Sequence, residues 1–239
     1  MGGRGDTRRD HPSDRGDSVS RPRLLDLFCC QGGASRGYVD AGFDVVGVDI
    51  DPQPRYPFEF IQADALEYLA AHGHEFDAIH ASPPCQAHTR AQKIMKNDHS
   101  DFILRTRLML YGVNEHRRSD HGIPPAPWVI ENVEGSPLYF PTRLCGEMFG
   151  LRTYRHRLFE SNVRLVAPEH PKHVARTTKM GRRPVAGEYM HVVGNFSGVD
   201  KAREVMGMPW ANRDGLREAI PPAYTRWIGE QLIEHLEAA

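Results

Sequence analysis

Short apolar runs recur along the chain, separated by stretches of a different period. "RLLDLF", "FDVVGVDID", "FEFIQ", "FDAIHA", "PWVIENV" and "RHRLFESNVRL" have strand length and are rich in apolar and β-branched residues. Between them, "GASRGYVDAG", "ALEYLAAHG" and "SDFILRTRLMLYGVNEHRR" repeat apolar residues at helical spacing. The final stretch, "PPAYTRWIGEQLIEHLEAA", puts Ile228, Leu232, Ile233 and Leu236 on one helix face. Strands alternating with helices predict an α/β fold, a mostly parallel sheet with helices on both faces. In such sheets ligands and chemistry collect at the carboxyl ends of the strands.

Two stretches break the pattern. Residues 1–22 are Gly, Ser, Asp and Arg with almost no apolar side chains, which predicts a disordered tail. From about Glu169 to Ser197 the chain is rich in Pro, Gly, His and basic residues and has weak periodicity. The expected organisation is a tail (1–22), a main α/β region (23–168), a small irregular insertion (169–202) and a C-terminal segment (203–239) that returns to the main region.

Composition adds limits. A chain of 239 residues supports one sizeable core. Its net charge of −1 supplies no global attraction to a polyanion, so such a partner must meet a local patch. Lys172, Arg176, Lys179, Arg182 and Arg183 form one, with no acid between Glu169 and Glu188. No apolar run reaches 18 residues and no secretory h-region is visible, so neither a membrane span nor export is expected. Four cysteines in a chain this size do not suggest a disulfide framework, and a reducing cytoplasm is the expected location. Cys29 and Cys30 are adjacent, Cys145 is isolated, and "HPKH" lacks partner cysteines, so no metal site is expected. The three tryptophans are expected in the core.

Candidate chemistry lies at the strand ends. Gly32 and Gly33 sit between a strand and a helix, where a ligand can approach the backbone. Asp49 and Asp64 end the next two strands, as expected of a site for an adenosine moiety from a nicotinamide cofactor or S-adenosylmethionine. Cys85 follows two prolines that stiffen its mount. Glu131 ends another strand, and Arg155 and Arg157, two apart on a predicted strand, are expected on one face. Nucleophile, carboxyl and paired arginines make a plausible reaction site.

"DLFCCQGGASRGY", "VDID", "QADALEY", "SPPCQAHT", "ENVEGSP", "YRHRLFE" and "EAIPPAYTRWIGEQL" resemble, in order, the motifs of the DNA (cytosine-5)-methyltransferases. The resemblance runs from Arg23 to the end of the chain. It implies a Rossmann-like methyltransferase fold that binds S-adenosylmethionine and releases S-adenosylhomocysteine. The cofactor residues it implies are Phe28, Cys30, Gly32, Gly33, Asp49, Ile50, Asp64, Ala65, Pro83 and Ala219. Cys85 would add to C6 of a flipped-out cytosine, since C5 is a poor nucleophile until a thiolate saturates that bond. Arg155 would help ionise the thiol, Glu131 would bind N3 and the exocyclic amine, and Arg157 would contact O2. Gln86, Arg90, Lys93 and Lys96 would lie on a loop closing over DNA, and the basic insertion would stand where the family reads its target. The implied partner is duplex DNA containing cytosine, bound by a monomer, with an oligomer as the alternative, as in restriction–modification or phage DNA modification.

The chain departs from the family pattern. Cys30 replaces a glycine, Thr153 a glutamine, and Arg217–Glu218 a Gly-Asn pair. Only about 45 residues separate Arg157 from "AREVMGMPW", where the family usually inserts a large recognition domain. A free cytosine nucleotide or RNA as substrate, a modified methyl group from a cofactor analogue, and a catalytically silent DNA-binding relative remain alternatives. A thymidylate-synthase-like reading has a Pro-Pro-Cys nucleophile too, but the Gly-rich turn and its acids favour S-adenosylmethionine over folate.

Overall fold

In the computed structural model, which describes residues 21–84, 100–179 and 181–239, the apolar runs form strands of one sheet. β1 (Arg23–Leu27), β2 (Asp44–Asp49), β3 (Glu59–Gln62), β4 (Ala78–Ala81) and β5 (Trp128–Asn132) pair in parallel. With β6 (Thr142–Leu144) and β7 (Arg157–Ser161) the sheet order is 3-2-1-4-5-7-6, and β7 runs antiparallel to both its neighbours. The α/β expectation holds, but the apolar pattern does not predict the antiparallel edge. β6 has three residues, too few to show a period. β7 stops at Ser161 instead of continuing to Leu165, because Asn162 turns back to β5. Its Oδ1 accepts the Trp128 N–H at 2.7 Å and its Nδ2 donates to the Ala126 carbonyl.

The two-residue period of the strands divides the core. Leu25, Leu27, Val48, Ile79, Trp128 and Ile130 pack with α2 (Ala65–His72) and α3 (Ser100–Asp120). Leu24, Val45, Ala78, Val129 and Phe159 pack with α1 (Gly33–Ala41) and α6 (Pro222–Ala238). Of the predicted α6 face, Ile228 and Leu232 are fully covered and Ile233 and Leu236 partly. α1 and α6 approach closely because of Gly37. A Cβ there would be driven into the Pro222 carbonyl and the Thr225 hydroxyl.

Across the other face, Arg107 of α3 reaches Glu160 of β7. Nε and Nη2 donate to Oε1 and Oε2 at 2.6 and 2.7 Å, and both side chains are buried. Oε2 also accepts the Tyr139 N–H at 2.7 Å.

A third, smaller core joins Met190, Val192 and Phe196 to α4 (Val199–Met206) and α5 (Arg213–Glu218). α4 spans the boundary drawn at 202, so the end of the insertion belongs with the C-terminal segment. The rest of the insertion is irregular apart from a bridge between Thr177 and Tyr189. Arg21, placed in the predicted tail, is among the described residues. Arg21 donates to the carbonyls of Gly42 and Val39 at the end of α1, both at 2.9 Å. Residues 1–20, the rest of the predicted tail, lie outside the described residues. Trp128 is core, as expected, whereas Trp210 is only partly covered and Trp227 is exposed. Among the described residues no helix is long and apolar enough to cross a membrane.

Candidate active site

The turn after β1 is built for close approach to its backbone. Phe28 and Cys30 have φ of 60° and 46°, and Gly32 caps α1 with φ 78°. Cys30 thus stands in the left-handed region where a glycine costs nothing, which is the physical reason for a glycine at this point of the motif. Gly32 offers no side-chain cap, so the first amides of α1 face outward as an acceptor-seeking end. Asp49, at the end of β2, accepts the Cys30 N–H at 2.9 Å and the Asp51 N–H at 3.0 Å. Burial raises its pKa, and those two N–H groups oppose the rise. Beside it Ile50 is 66 % exposed, an apolar surface left open at a strand end. Asp64 caps α2 through the amides of Leu66 and Glu67. Ala65 lies in the core, so it can offer a ligand only its backbone.

Beneath the turn, Asp26 is fully buried. Its Oδ2 accepts from the Ser35 hydroxyl, which in turn accepts from Tyr56, and its Oδ1 has no partner among the described residues. Burial pushes its pKa up to about 7, against the Ser35 bond, with nearby Asp49 adding to the rise. Protonation is therefore tighter in the folded chain than in the unfolded one. Stability carried by Asp26 is complete below the ordinary carboxylate range and falls as pH rises toward about 7. Unfolding midpoints measured from pH 4 to pH 8 should fall with pH relative to those of Asp26→Asn. Parallel curves would contradict a buried acid here.

At the end of β5, Glu131 is buried against Arg157, with Nε 2.9 Å from Oε1. The pair is close but not aligned as a hydrogen bond, so Oε1 keeps its accepting capacity. Burial raises the Glu131 pKa, opposed by Arg157, Arg155 and a hydrogen bond from Ser82. Ser82 Oγ is 2.9 Å from His80 Nε2, and His80 Nδ1 is 2.9 Å from the Tyr38 hydroxyl. One assignment satisfies the row: Tyr38 donates to Nδ1, Nε2–H donates to Ser82, and Ser82 donates to the carboxyl. Burial lowers the His80 pKa to about 3, so the ring stays neutral. Asn132 Nδ2 donates to the Pro83 carbonyl at 2.9 Å, fixing the Pro-Pro turn against β5. Its Oδ1 accepts from the Val133 N–H and the Ser136 hydroxyl. His80 lies outside the quoted motifs, and Ser82 and Asn132 lie within "SPPCQAHT" and "ENVEGSP" without a role assigned there, yet all three support the site.

The two arginines do not both lie on the strand. Only Arg157 belongs to β7; Arg155 precedes it with φ 28°, which breaks the two-residue period. Arg155 is buried and gives Nε to Ala219 O (2.8 Å), Nη1 to Val192 O (2.6 Å) and Nη2 to Arg217 O (2.7 Å). Burial, with Arg157 nearby, pushes its pKa well below the usual arginine range. It clamps backbone carbonyls from just outside the strand, which corrects its expected place on the same strand as Arg157. Ala219 likewise enters through its carbonyl.

The basic residues of the insertion are on the surface. Lys172, Arg176, Lys179, Arg182 and Arg183 are all exposed, and Arg182 pairs with Glu188 at 2.5 Å. Cys85, Gln86, Arg90, Lys93 and Lys96 lie outside the described residues. The described chain reaches Pro84, one residue short of the thiol.

No protein-family model matches the chain. A provisionally named type II methyltransferase of Methanocaldococcus jannaschii is 26% identical over 184 residues, 59% of this chain and 56% of that protein. The type II methyltransferase M.XorII of Xanthomonas oryzae pv. oryzae is 29% identical over 133 residues, 49% of this chain and 29% of that protein. The chain therefore spans about half the length, or less, of these relatives. The fold matches the crystal structure of the S. pombe Dnmt2 methyltransferase (TM-score 0.58, 13% identity, 91% of this chain and 99% of that one). It also matches the Entamoeba histolytica methyltransferase EhMeth (TM-score 0.56, 10% identity, the same coverage). The chain is thus similar in sequence to type II methyltransferases and has the fold of solved methyltransferases. These likenesses to methyltransferases support S-adenosylmethionine as the cofactor, and the residues present fit it. The uncapped α1 terminus and the Gly32 turn suit a polar group, Asp49 suits hydroxyls, and Ile50 offers an apolar cover for a base.

Proposed function

We propose that the chain transfers a methyl group from S-adenosylmethionine to C5 of cytosine in DNA through a covalent adduct of Cys85. The observation that carries this reading is the buried Glu131 beside Arg157, with Asn132 of the same strand holding the Pro83 carbonyl two residues before Cys85. Gly32, Gly33, Asp49, Ile50 and Asp64 hold the cofactor, which supplies an electrophilic methyl group.

The chain's own residues prepare the base. Pro83 and Pro84, held by Asn132, aim the thiol at C6 of a flipped cytosine. Glu131, its pKa raised by burial, shares a proton with N3 and accepts from the exocyclic amine through Oε1. Charge that builds on the ring as sulfur adds is thereby spread toward the protein. Arg157 orients Glu131 and meets the O2 side. After transfer, a base takes the C5 proton, the C5–H electrons re-form the C5=C6 bond, and sulfur leaves C6 as the thiolate. The exposed lysines and arginines of the insertion meet phosphates.

The test is incubation with tritiated S-adenosylmethionine and duplex DNA. Label should enter DNA with the wild type and not with Cys85→Ser, and DNA carrying 5-fluorocytosine should trap a denaturation-resistant complex. No label and no adduct would overturn the proposal. Labelling of RNA or of free dCMP, but not DNA, would replace its substrate while keeping its chemistry.

A further inference from the structure

A second cluster of chemistry-bearing side chains lies at the β6–β7 hairpin. Cys145 directly follows β6 and His156 directly precedes β7. Leu144 is the register partner of Arg157, so Cys145 and His156 face each other across the opening of the hairpin. The chain then leaves β7, and its insertion brings back His170 and His173, which belong to the "HPKH" stretch. One ligand atom from each of Cys145, His156, His170 and His173 lies within 4.8 Å of all the others. Sγ of Cys145 is 3.3 Å from Nε2 of His173, and Nε2 of His156 is 3.1 Å from Nε2 of His170. With bonds of about 2.0–2.1 Å to nitrogen and about 2.3 Å to sulfur, the edges of a tetrahedral zinc site run to about 3.3–3.6 Å. The observed separations are close to those edges.

Proton bookkeeping also points to a cation. His170 Nδ1 is 2.8 Å from the Pro171 carbonyl, which can only accept, so Nδ1 carries the proton and Nε2 a lone pair. His156 Nδ1 faces the Glu134 carboxylate at 3.7 Å, which favours the same tautomer. Two lone pairs then confront each other at 3.1 Å, an arrangement that an ion between them relieves. The outward contacts are those by which metal-bound histidines are oriented, a carbonyl for one ring and a carboxylate for another. Finally, Glu147 Oε2 is buried without a hydrogen-bond partner among the described residues and sits 3.8 Å from His173 Nε2. A negative oxygen with nothing to accept from is well placed beside a cation.

We propose that Cys145, His156, His170 and His173 bind one zinc ion (Zn2+) that fastens the start of the insertion to the β6–β7 hairpin. One thiolate and three imidazoles suit zinc by softness and by geometry. Four protein ligands leave no open position, so the site is structural. This differs from the expectation of no metal site: "HPKH" meets a cysteine 25 residues upstream because the insertion returns to the hairpin. The inference does not depend on the proposed reaction.

Untagged full-length protein, purified from zinc-supplemented cells without chelator, should contain about one zinc per chain by elemental analysis. Cys145→Ser and His173→Ala should fall to background. His116→Ala should not, since His116 belongs to a separate group with His74 and His121. Cobalt added to metal-stripped wild type should give the visible bands of a tetrahedral site with a thiolate-to-cobalt band. Absence of metal from the wild type, unchanged metal in Cys145→Ser, or loss of metal in His116→Ala would each overturn the proposal. If the variants do not fold, the wild-type cobalt spectrum decides, because a spectrum without the thiolate band excludes Cys145.

Discussion

Glu131→Gln should lower methyl transfer to DNA by about 10²–10⁴-fold, the range over which a positioned acid–base group acts. The substitution keeps the size of the side chain and its hydrogen bonding to Ser82. It removes the ionisable proton and the charge opposite Arg157. Cofactor affinity, read by equilibrium dialysis, should stay within a few fold, because the residues proposed to hold the cofactor sit at the ends of other strands. Adduct formation with 5-fluorocytosine DNA should slow in parallel with turnover, since the affected step is addition to C6. A loss of less than tenfold, or an equal loss of cofactor binding, would assign Glu131 a structural part only.

Glu160→Ala should destabilise the fold by about 3–5 kcal/mol, because it leaves Arg107 buried and unpaired. Arg107 and Glu160 form a two-point pair at 2.6 and 2.7 Å with about 5% and 4% of their side chains exposed. The guanidinium also donates to the Pro137 carbonyl and lies 3.9 Å over the Tyr139 ring, so α3, β7 and the 137–139 segment meet there. Removing the carboxylate strands both the cation and the Tyr139 amide. The double variant Arg107→Met with Glu160→Leu should recover much of the loss, since an apolar pair incurs no desolvation penalty. Urea unfolding of the three proteins checks this. A single-variant loss below about 1 kcal/mol would mean that water reaches the pair.

The sequence carried the fold wherever a period was long enough to see. β1, β2, β4 and β5 were legible because buried parallel strands read as continuous apolar runs. β6 was not, having three residues, and α4 and α5 were hidden in a stretch whose apolar residues serve a small separate core. Within the site, the legible features were local: the Gly32–Gly33 turn, Asp49, and Glu131 at a strand end. What failed to show depends on contacts between distant residues. Asn132 supports Pro83 from 49 positions away, and no spacing rule announces it. Arg155 misled for a physical reason, because a positive φ at that residue cancels the alternation that two-residue spacing assumes. The Cys145 cluster was invisible because Cys145 meets His156 only through the register of a strand too short to predict, and His170 and His173 only through the return of an irregular segment.

The clamp formed by Arg155 has a thermodynamic consequence. One guanidinium holds carbonyls from Val192, Arg217 and Ala219, while the Ile220 carbonyl packs against Gly33 at the cofactor turn. The end of the insertion and the floor of the cofactor turn are therefore linked through a single ion. Freeing either segment strips bonds from a charge that burial already penalises. Loosening either segment should therefore carry a cost that the other shares, because both depend on the bonds of one buried guanidinium.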